Sequence, residues 1–137
     1  MLFSEPTLEP IGFTAFMTES VSYEIGDVVI FDSVESNIGG FYNEKASVFV
    51  CPNNGMYIFS LSVTCEMLQI NADLMIDDNA FVTVRCHNDH YSQGNVVAVT
   101  ECYSNQKVWA QVTYAGSLAG NSTDRYTSFS GFLSFIY

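Results

Sequence analysis

Residues 48–65 read VFVCPNNGMYIFSLSVTC and contain the clearest strand pattern in the chain. An apolar run ends at Pro52, and Asn53-Asn54-Gly55 supplies residue types that favour a tight turn. From Tyr57 to Cys65, apolar side chains alternate with Ser and Thr, which is the period of two expected for a strand buried on one face. The stretch therefore predicts a strand, a tight turn and a long strand whose aromatic face needs a covering sheet.

Short apolar runs bounded by turn residues continue along the chain, and no window shows a sustained helical stripe. The runs lie at 11–17, 28–31, 74–76, 81–86, 96–102, 108–114 and 127–137. Eleven Phe and eight Tyr also favour strands over helices. About eight to ten short strands at regular spacing predict an all-β sandwich or jelly roll. We expect residues 1–10 to be a lead-in and residues 11–137 to form one domain.

The charge balance excludes some classes of partner. The chain has 137 residues and a net charge of −11, from 15 acidic and 4 basic residues. Nucleic acids and anionic membranes are not expected as partners, because binding to phosphates requires Lys and Arg. Cationic partners, metal ions that bridge to anions, or solubility alone remain compatible with this charge.

No apolar run is long enough to insert into a bilayer. Residues 1–6 lack the basic and apolar regions of a secretory signal peptide. The sequence is therefore expected to be either cytosolic or the product of signal-peptide removal.

Four segments carry a family resemblance, in order and across nearly the whole chain. Residues 13–16 read FTAF, residues 29–43 contain VIF and then NIGGFYN, residues 49–59 read FVCPNNGMYIF, and residues 128–133 read SFSGFL. These segments resemble, in turn, the opening strand, the Asn-x-Gly-x-x-Tyr-Asp turn, the Phe-x-Cys-Pro-x-x-Gly-x-Tyr-x-Phe core and the closing Phe-Ser-Gly-Phe-Leu strand of the C1q domain, in the C1q/tumour-necrosis-factor superfamily. One departure is Asn105-Gln106-Lys107, which stands where the family often has Gly-Asp.

The resemblance implies a ten-stranded jelly roll that forms a tight homotrimer and acts as a secreted recognition head. No Gly-X-Y repeat is present, so the chain is similar to the collagen-less C1q-domain proteins of invertebrates. The expected function is an extracellular, lectin-like pattern-recognition module of innate immunity that binds glycans, microbial surface molecules or proteins by avidity. An acidic matrix or metal-handling protein and a cytokine-like receptor ligand are the alternatives.

The first and last predicted strands are apolar on both faces, and such strands are normally covered on both. By strict alternation, one face of the last strand carries Phe129, Gly131, Leu133, Phe135 and Tyr137. The opposite face carries Phe132 and Ile136, and Phe16 similarly lies opposite Phe13. The resembled fold pairs these two strands in the sheet that faces the three-fold axis. Phe16, Phe132 and Ile136 are therefore predicted to lie at the trimer interface.

Residues 87–93 form a polar segment with metal-binding side chains. Its donors are His87, Asn88, Asp89, His90 and Gln93. In the resembled family, calcium can bind just after the strand that here ends at Cys86, and oxygen donors suit calcium. His87 replaces the family's acidic residue, and histidines suit zinc, copper or nickel better. A solvated polar loop is the alternative interpretation.

Nothing in the sequence indicates catalysis. Cys86 and His87 are neighbours, but adjacent residues on an extended chain point to opposite faces, which is a poor geometry for proton transfer. Nucleophile-elbow, phosphate-loop and zincin motifs are absent from the sequence. We expect no enzyme activity and no cofactor other than calcium.

The four cysteines are Cys51, Cys65, Cys86 and Cys102, and no two have C-x-x-C spacing. Buried free thiols are the default expectation for cysteines at the ends of apolar strands. If bridges form, the C1q-like fold implies the pairs Cys65–Cys86 and Cys51–Cys102. These pairs require the chain segments to converge, since packed sheets are about 10 Å apart.

Asn121-Ser122-Thr123 is the one N-glycosylation sequon in the sequence. It falls between two predicted strands, in a loop rich in small residues. Asn121 is therefore a candidate attachment site for a glycan.

Overall fold

The computed structural model describes residues 9–88 and 92–137, and strands dominate this part of the chain. The strands are β1 (Gly12–Phe16), β2 (Val21–Tyr23), β3 (Ser33–Ile38), β4 (Tyr42–Asn43), β5 (Val48–Val50), β6 (Gly55–Ile76), β7 (Asn79–Asn88), β8 (Gln93–Cys102), β9 (Lys107–Tyr114), β10 (Gly116–Leu118) and β11 (Ser128–Ile136). The pairings between them are antiparallel. The prediction of an all-β fold is confirmed. Within the described ranges, no helix is long and apolar enough to cross a membrane.

Two layers share the long strand β6. Its first half, Gly55 to Thr64, lies between β11 and β8 in a front sheet of order β3-β1-β11-β6-β8. Its second half pairs with β7 and β9 in a back sheet that continues through β5 to β4. The short pair β2–β10 joins β6 where it passes between the layers. The strand predicted from Tyr57 to Cys65 therefore continues to Ile76 and ties the two sheets together.

The core is aromatic, and it lies on the face of β6 that alternation predicts. Tyr57 and Phe59 are fully buried, and so are Leu61, Val63 and Cys65 farther along the strand. The ring of Phe13 lies 4.7 Å from that of Tyr42, 4.9 Å from that of Phe49 and 4.8 Å from that of Phe129. Gly131 makes room for two core rings, because a Cβ atom there would lie 2.5 Å from Cδ1 of Phe59 and 2.9 Å from Cε1 of Phe13.

All four cysteines form disulfides, so the expectation of free thiols is wrong. The bonded pairs are Cys51–Cys102 and Cys65–Cys86, which are the pairs that the family resemblance implies. Their Cα atoms are 6.4 Å and 5.9 Å apart, within the usual reach of a disulfide. The chain segments therefore converge at these points, despite the wider average spacing of packed sheets.

Candidate functional site

The outer face of the front sheet, which points away from the core, carries a cluster of apolar side chains. The strand register places Phe132, Ile58 and Val99 side by side across β11, β6 and β8. Phe135 adjoins Met56 in the next row. We name this cluster the front apolar patch, and its members are Met56, Ile58, Val97, Val99, Phe132 and Phe135.

Four members of the front apolar patch are strongly exposed in the single chain. The exposed fraction is 66% for Val97, 63% for Val99, 61% for Phe135 and 48% for Phe132. Met56 and Ile58 are half-buried between them. Single exposed apolar residues are ordinary on a protein surface, whereas a contiguous cluster marks an interaction surface.

The same sheet face becomes polar toward the start of β11. Thr14 Oγ1 and Ser130 Oγ lie 3.0 Å apart, and Ser62 Oγ donates a hydrogen bond to Asn95 Oδ1 over 2.5 Å. These small side chains satisfy each other across neighbouring strands. On β11 and β6 the apolar side chains therefore lie toward the end of β11, whereas Val97 extends the front apolar patch along β8 into the row of Ser60 and Ser130.

Glu101 and two tyrosines border the front apolar patch. Glu101 lies opposite Met56, and its carboxylate accepts a hydrogen bond from the Tyr103 hydroxyl over 2.9 Å. Hydrogen bonds from the hydroxyls of Tyr137 and Tyr103 lower the pKa of Glu101. Desolvation and the Glu101 carboxylate raise the pKa of Tyr137 to about 12. At neutral pH the border therefore consists of an ionised carboxylate and two neutral phenols.

The trimer interface stays a prediction, but two of its three predicted residues have surroundings in the single chain that alternation along the strand does not predict. Phe16 is 4% exposed within the single chain, since the guanidinium of Arg125 lies 5.0 Å from its ring centroid and covers it. Arg125 is held there by an ion pair of 3.0 Å with Glu35 on β3. Phe16 therefore needs no second chain to cover it.

Ile136 differs from its predicted position for another reason. The register of β11 against β6 shifts between Leu133 and Phe135, which makes Ser134 an extra residue in a β-bulge. Alternation is interrupted there, so Ile136 pairs with Gly55 on the core side. Phe135 takes the outer position instead and joins Phe132.

Sequence reasoning missed most of the front apolar patch. The signal was present in residues 96–102, where Val96 and Ala98 alternate with Val97 and Val99. A strand that is apolar on both faces is normally covered on both, and this rule led to the prediction for Phe132. The same rule applied to β8 predicts that Val97 and Val99 lie at an interface.

The predicted metal segment lies partly outside the described residues. Asp89, His90 and the side chain of Asn88 are outside them, whereas His87 is exposed near the end of β7. Gln93 begins β8, and its Nε2 donates to the Tyr126 carbonyl over 2.6 Å and to Thr64 Oγ1 over 3.3 Å. Among the described residues, no group of three His, Cys, Asp or Glu is placed to hold a metal ion. Calcium binding stays a prediction.

A groove of about 590 Å³ lies at one end of the sandwich, where the turns after β3 and β5 meet. Its walls are mainly apolar and include Ile11, Ile38, Phe41, Val50 and Pro52. Asn53 and Asn105 also line it. The residues that line this groove were not predicted as site residues.

Two layers of antiparallel strands around an aromatic core define a jelly roll, and known structures share it. The globular domain of zebrafish complement 1qA protein matches with a TM-score of 0.75 at 18% identity, over 94% of this chain and all of that one. Eiger TNF from S. frugiperda matches with a TM-score of 0.75 at 9% identity, over 93% of each chain. Murine APRIL matches with a TM-score of 0.68 at 11% identity, over 91% of this chain and 98% of that one. At these identities the likeness shows the fold alone.

The sequence comparison specifies the family within this fold. A family model described as the C1q domain matches residues 12–134. The chain therefore belongs to the C1q-domain family, and the predicted resemblance is confirmed. Such domains generally serve as recognition or structural modules and not as enzymes.

Two curated relatives contain a similar segment within much longer chains. Zebrafish Caprin-2 is 26% identical over 110 residues, and the mouse collagen alpha-1(X) chain is 28% identical over 128 residues. These matches cover 77% and 89% of this chain, but only 12% and 18% of the two relatives. Each likeness is therefore to one region of a larger protein.

Proposed function

We propose that this chain is the subunit of a homotrimeric C1q-type recognition module. The observation that carries the proposal is the front apolar patch, whose most exposed side chains lie on two strands of one sheet. A patch of this kind would be an aggregation liability if it stayed in water. Three copies related by a three-fold axis would bury it through head-to-tail contacts that close into a ring.

Charge substitutions within the front apolar patch test the assembly. Phe132→Asp on β11 and Val99→Asp on β8 would each place a carboxylate in the buried interface, where an unpaired charge is costly. We expect wild-type protein to run as a trimer in size-exclusion chromatography with light scattering, and both variants to run as folded monomers.

Ile25→Asp is the matched control for these substitutions. Ile25 is 70% exposed, as the patch residues are, but it lies in the turn after β2, beside β9 of the back sheet. This variant should remain trimeric. A monomeric wild type at micromolar concentration, or folded trimers from both patch variants, would contradict the proposal.

Recognition would depend on avidity. Three weak sites on one trimer gain affinity for a repeated ligand, because later contacts become intramolecular. With a net charge of −11 per chain, direct contact with phosphate groups is disfavoured. Neutral sugars, cationic protein surfaces and anions bridged by calcium are the ligand classes that fit, and surface glycans of microbes are the leading candidates for an immune role.

An array of glycans and microbial surface molecules tests the ligand class. It would be probed with the trimer, once with calcium and once with a chelator. Binding lost in the chelator would support the calcium prediction for residues 87–93. Absence of array binding in both conditions would reject glycan recognition. Selective binding to one receptor protein would favour the cytokine-like alternative. Several weak sites for divalent cations, measured by calorimetry, would favour the matrix or metal-handling alternative.

An extracellular location is part of the proposal. Two disulfides account for all four cysteines, and structural disulfides persist mainly in oxidising compartments. Outside the cell, both bonds would remain intact under the conditions in which a recognition module works.

A further inference from the structure

The sequon at Asn121 lies in the loop between β10 and β11, and the structure fixes how this loop is held. Asn121 N donates to the Met17 carbonyl over 3.0 Å, and Gly120 N donates to Ser20 Oγ over 3.3 Å. Two backbone groups thereby anchor the start of the loop to the segment that follows β1. The loop position is therefore set before the exposed residues begin.

The side chain of Asn121 is oriented by its own loop. Its Oδ1 accepts hydrogen bonds from the backbone N–H groups of Thr123, over 2.7 Å, and Asp124, over 2.9 Å. Because Oδ1 and Nδ2 are on opposite branches of a planar amide, Nδ2 points away from these two N–H groups. The hydrogen bonds formed among the described residues do not use Nδ2.

The surroundings of Asn121 leave space for a large attached group. Asn121 itself is half-buried, whereas Ser122, Thr123 and Asp124 are exposed in succession. Across the loop, Glu19 and Ser20 are exposed as well. A glycan on this loop would displace no core side chain.

The first part of β11 separates the loop from the aromatic members of the front apolar patch. β11 begins at Ser128, next to the loop, and reaches the patch at Phe132 and Phe135. At about 3.3 Å per residue, Ser128 is roughly 13 Å from Phe132 and roughly 23 Å from Phe135. A glycan at Asn121 would therefore be attached outside the contact made by Phe132 and Phe135.

We propose that Asn121 carries an N-linked glycan, an inference that rests on the extracellular location proposed above. Nδ2 forms a bond to the anomeric carbon of an oligosaccharide donated by a lipid diphosphate. The bond from that carbon to the diphosphate oxygen breaks, the lipid diphosphate leaves with the electron pair, and Nδ2 loses one proton. The glycan covers the loop end of the sandwich and leaves the trimer contact free.

Secretion of the full chain from eukaryotic cells, behind an added signal peptide, tests the modification. Intact mass is measured before and after treatment with a peptide N-glycosidase, which converts a glycosylated Asn into Asp and thereby marks the position. We expect the wild type to lose mass on treatment and to contain Asp at position 121. Unmodified wild-type protein would overturn the proposal.

Variants at the two following positions supply matched controls. Thr123→Ala destroys the sequon and should abolish the glycan, whereas Thr123→Ser and Ser122→Ala keep a sequon and should retain it. A glycan that persists in Thr123→Ala would show that the attachment site lies elsewhere and would reject Asn121.

Light scattering on the same samples separates this inference from the trimer proposal. The glycosylated wild type and Asn121→Gln should both be trimers. A glycosylated monomer would reject the trimer and support the glycan, and an unglycosylated trimer would do the reverse.

Discussion

At the scale of single residues, the turn before β4 shows how local chemistry builds the core. Asn37 Nδ2 donates to the Tyr42 carbonyl over 2.9 Å, and Tyr42 N donates to Asn37 Oδ1 over 3.1 Å. Gly39 and Gly40, which lie between these two residues, both have a positive φ, a conformation that glycine adopts at little cost. The turn places the Tyr42 ring in the core, where its hydroxyl donates a hydrogen bond to the Phe31 carbonyl over 3.4 Å.

The buried phenol of Tyr42 predicts a loss of stability at high pH. Burial raises its pKa from 10.0 to about 12, although a hydrogen bond with Ser47 acts in the opposite direction. A raised folded-state pKa means that the folded protein favours the neutral phenol. The neutral phenol therefore contributes fully to the free energy of unfolding below pH 10, and this contribution declines as the pH rises toward 12. We expect the urea midpoint of the wild type to fall more steeply across this range than that of Tyr42→Phe.

Part of the slope should survive in Tyr42→Phe, since burial raises the pKa values of Tyr23 and Tyr57 too. Equal slopes for wild type and Tyr42→Phe would argue against the assigned role of Tyr42.

At the scale of elements, β6 is the strand on which both layers depend, and the disulfides brace its surroundings. Cys65, in the middle of β6, is bonded to Cys86 on β7. Cys51, just before the turn into β6, is bonded to Cys102 at the end of β8. Each bond therefore fixes a neighbouring strand to a point where the chain passes from one sheet to the other.

Removal of either disulfide should destabilise the domain, and the longer loop should matter more. The bonds close loops with sequence separations of 51 for Cys51–Cys102 and 21 for Cys65–Cys86. Restriction of the unfolded chain predicts losses of about 4 kcal/mol and about 3 kcal/mol, respectively. Urea unfolding of the paired Cys→Ala variants, at fixed protein concentration, measures both values.

Reductant supplies the internal control for this comparison. In each paired variant it should lower the stability further, by opening the remaining bond. A variant lacking both pairs should not respond. A larger loss from Cys65/Cys86 than from Cys51/Cys102 would show that native packing, and not loop length, sets the contribution.

At the scale of the whole molecule, net charge should oppose assembly. Each subunit carries −11, so a trimer brings three strongly acidic surfaces together while apolar contacts hold the interface. Salt screens repulsion between exposed charges, and the screening length is about 10 Å at 0.1 M and about 3 Å at 1 M. Salt should therefore stabilise the trimer. The protein concentration at which it dissociates should fall as sodium chloride is raised from about 0.05 to 0.5 M.

Sedimentation equilibrium at several salt concentrations measures this dependence. Assembly that weakens with salt would show instead that ion pairs across the interface dominate. The Ile25→Asp control should follow the wild-type trend with a slightly stronger salt dependence, since it adds one negative charge outside the contact.

The fold class, the family and the buried face of β6 could all be predicted from the amino-acid sequence. These features are local, because alternation along an extended backbone assigns each side chain to a face wherever the strand is regular. Tyr57, Phe59 and Leu61 lie in the core for that reason. Recognition of the family required only the order and spacing of the four motifs, and both can be read from the amino-acid sequence.

Which apolar residues remain exposed depends instead on contacts between strands that are distant in sequence. The bulge at Ser134 exchanges the faces of Phe135 and Ile136, and a register shift depends on the partner strand and not on the strand's own pattern. Phe16 is covered by Arg125, which is distant in sequence and reaches it only in the folded chain. The disulfides likewise form because remote segments converge, so their presence follows from three-dimensional proximity and not from cysteine spacing.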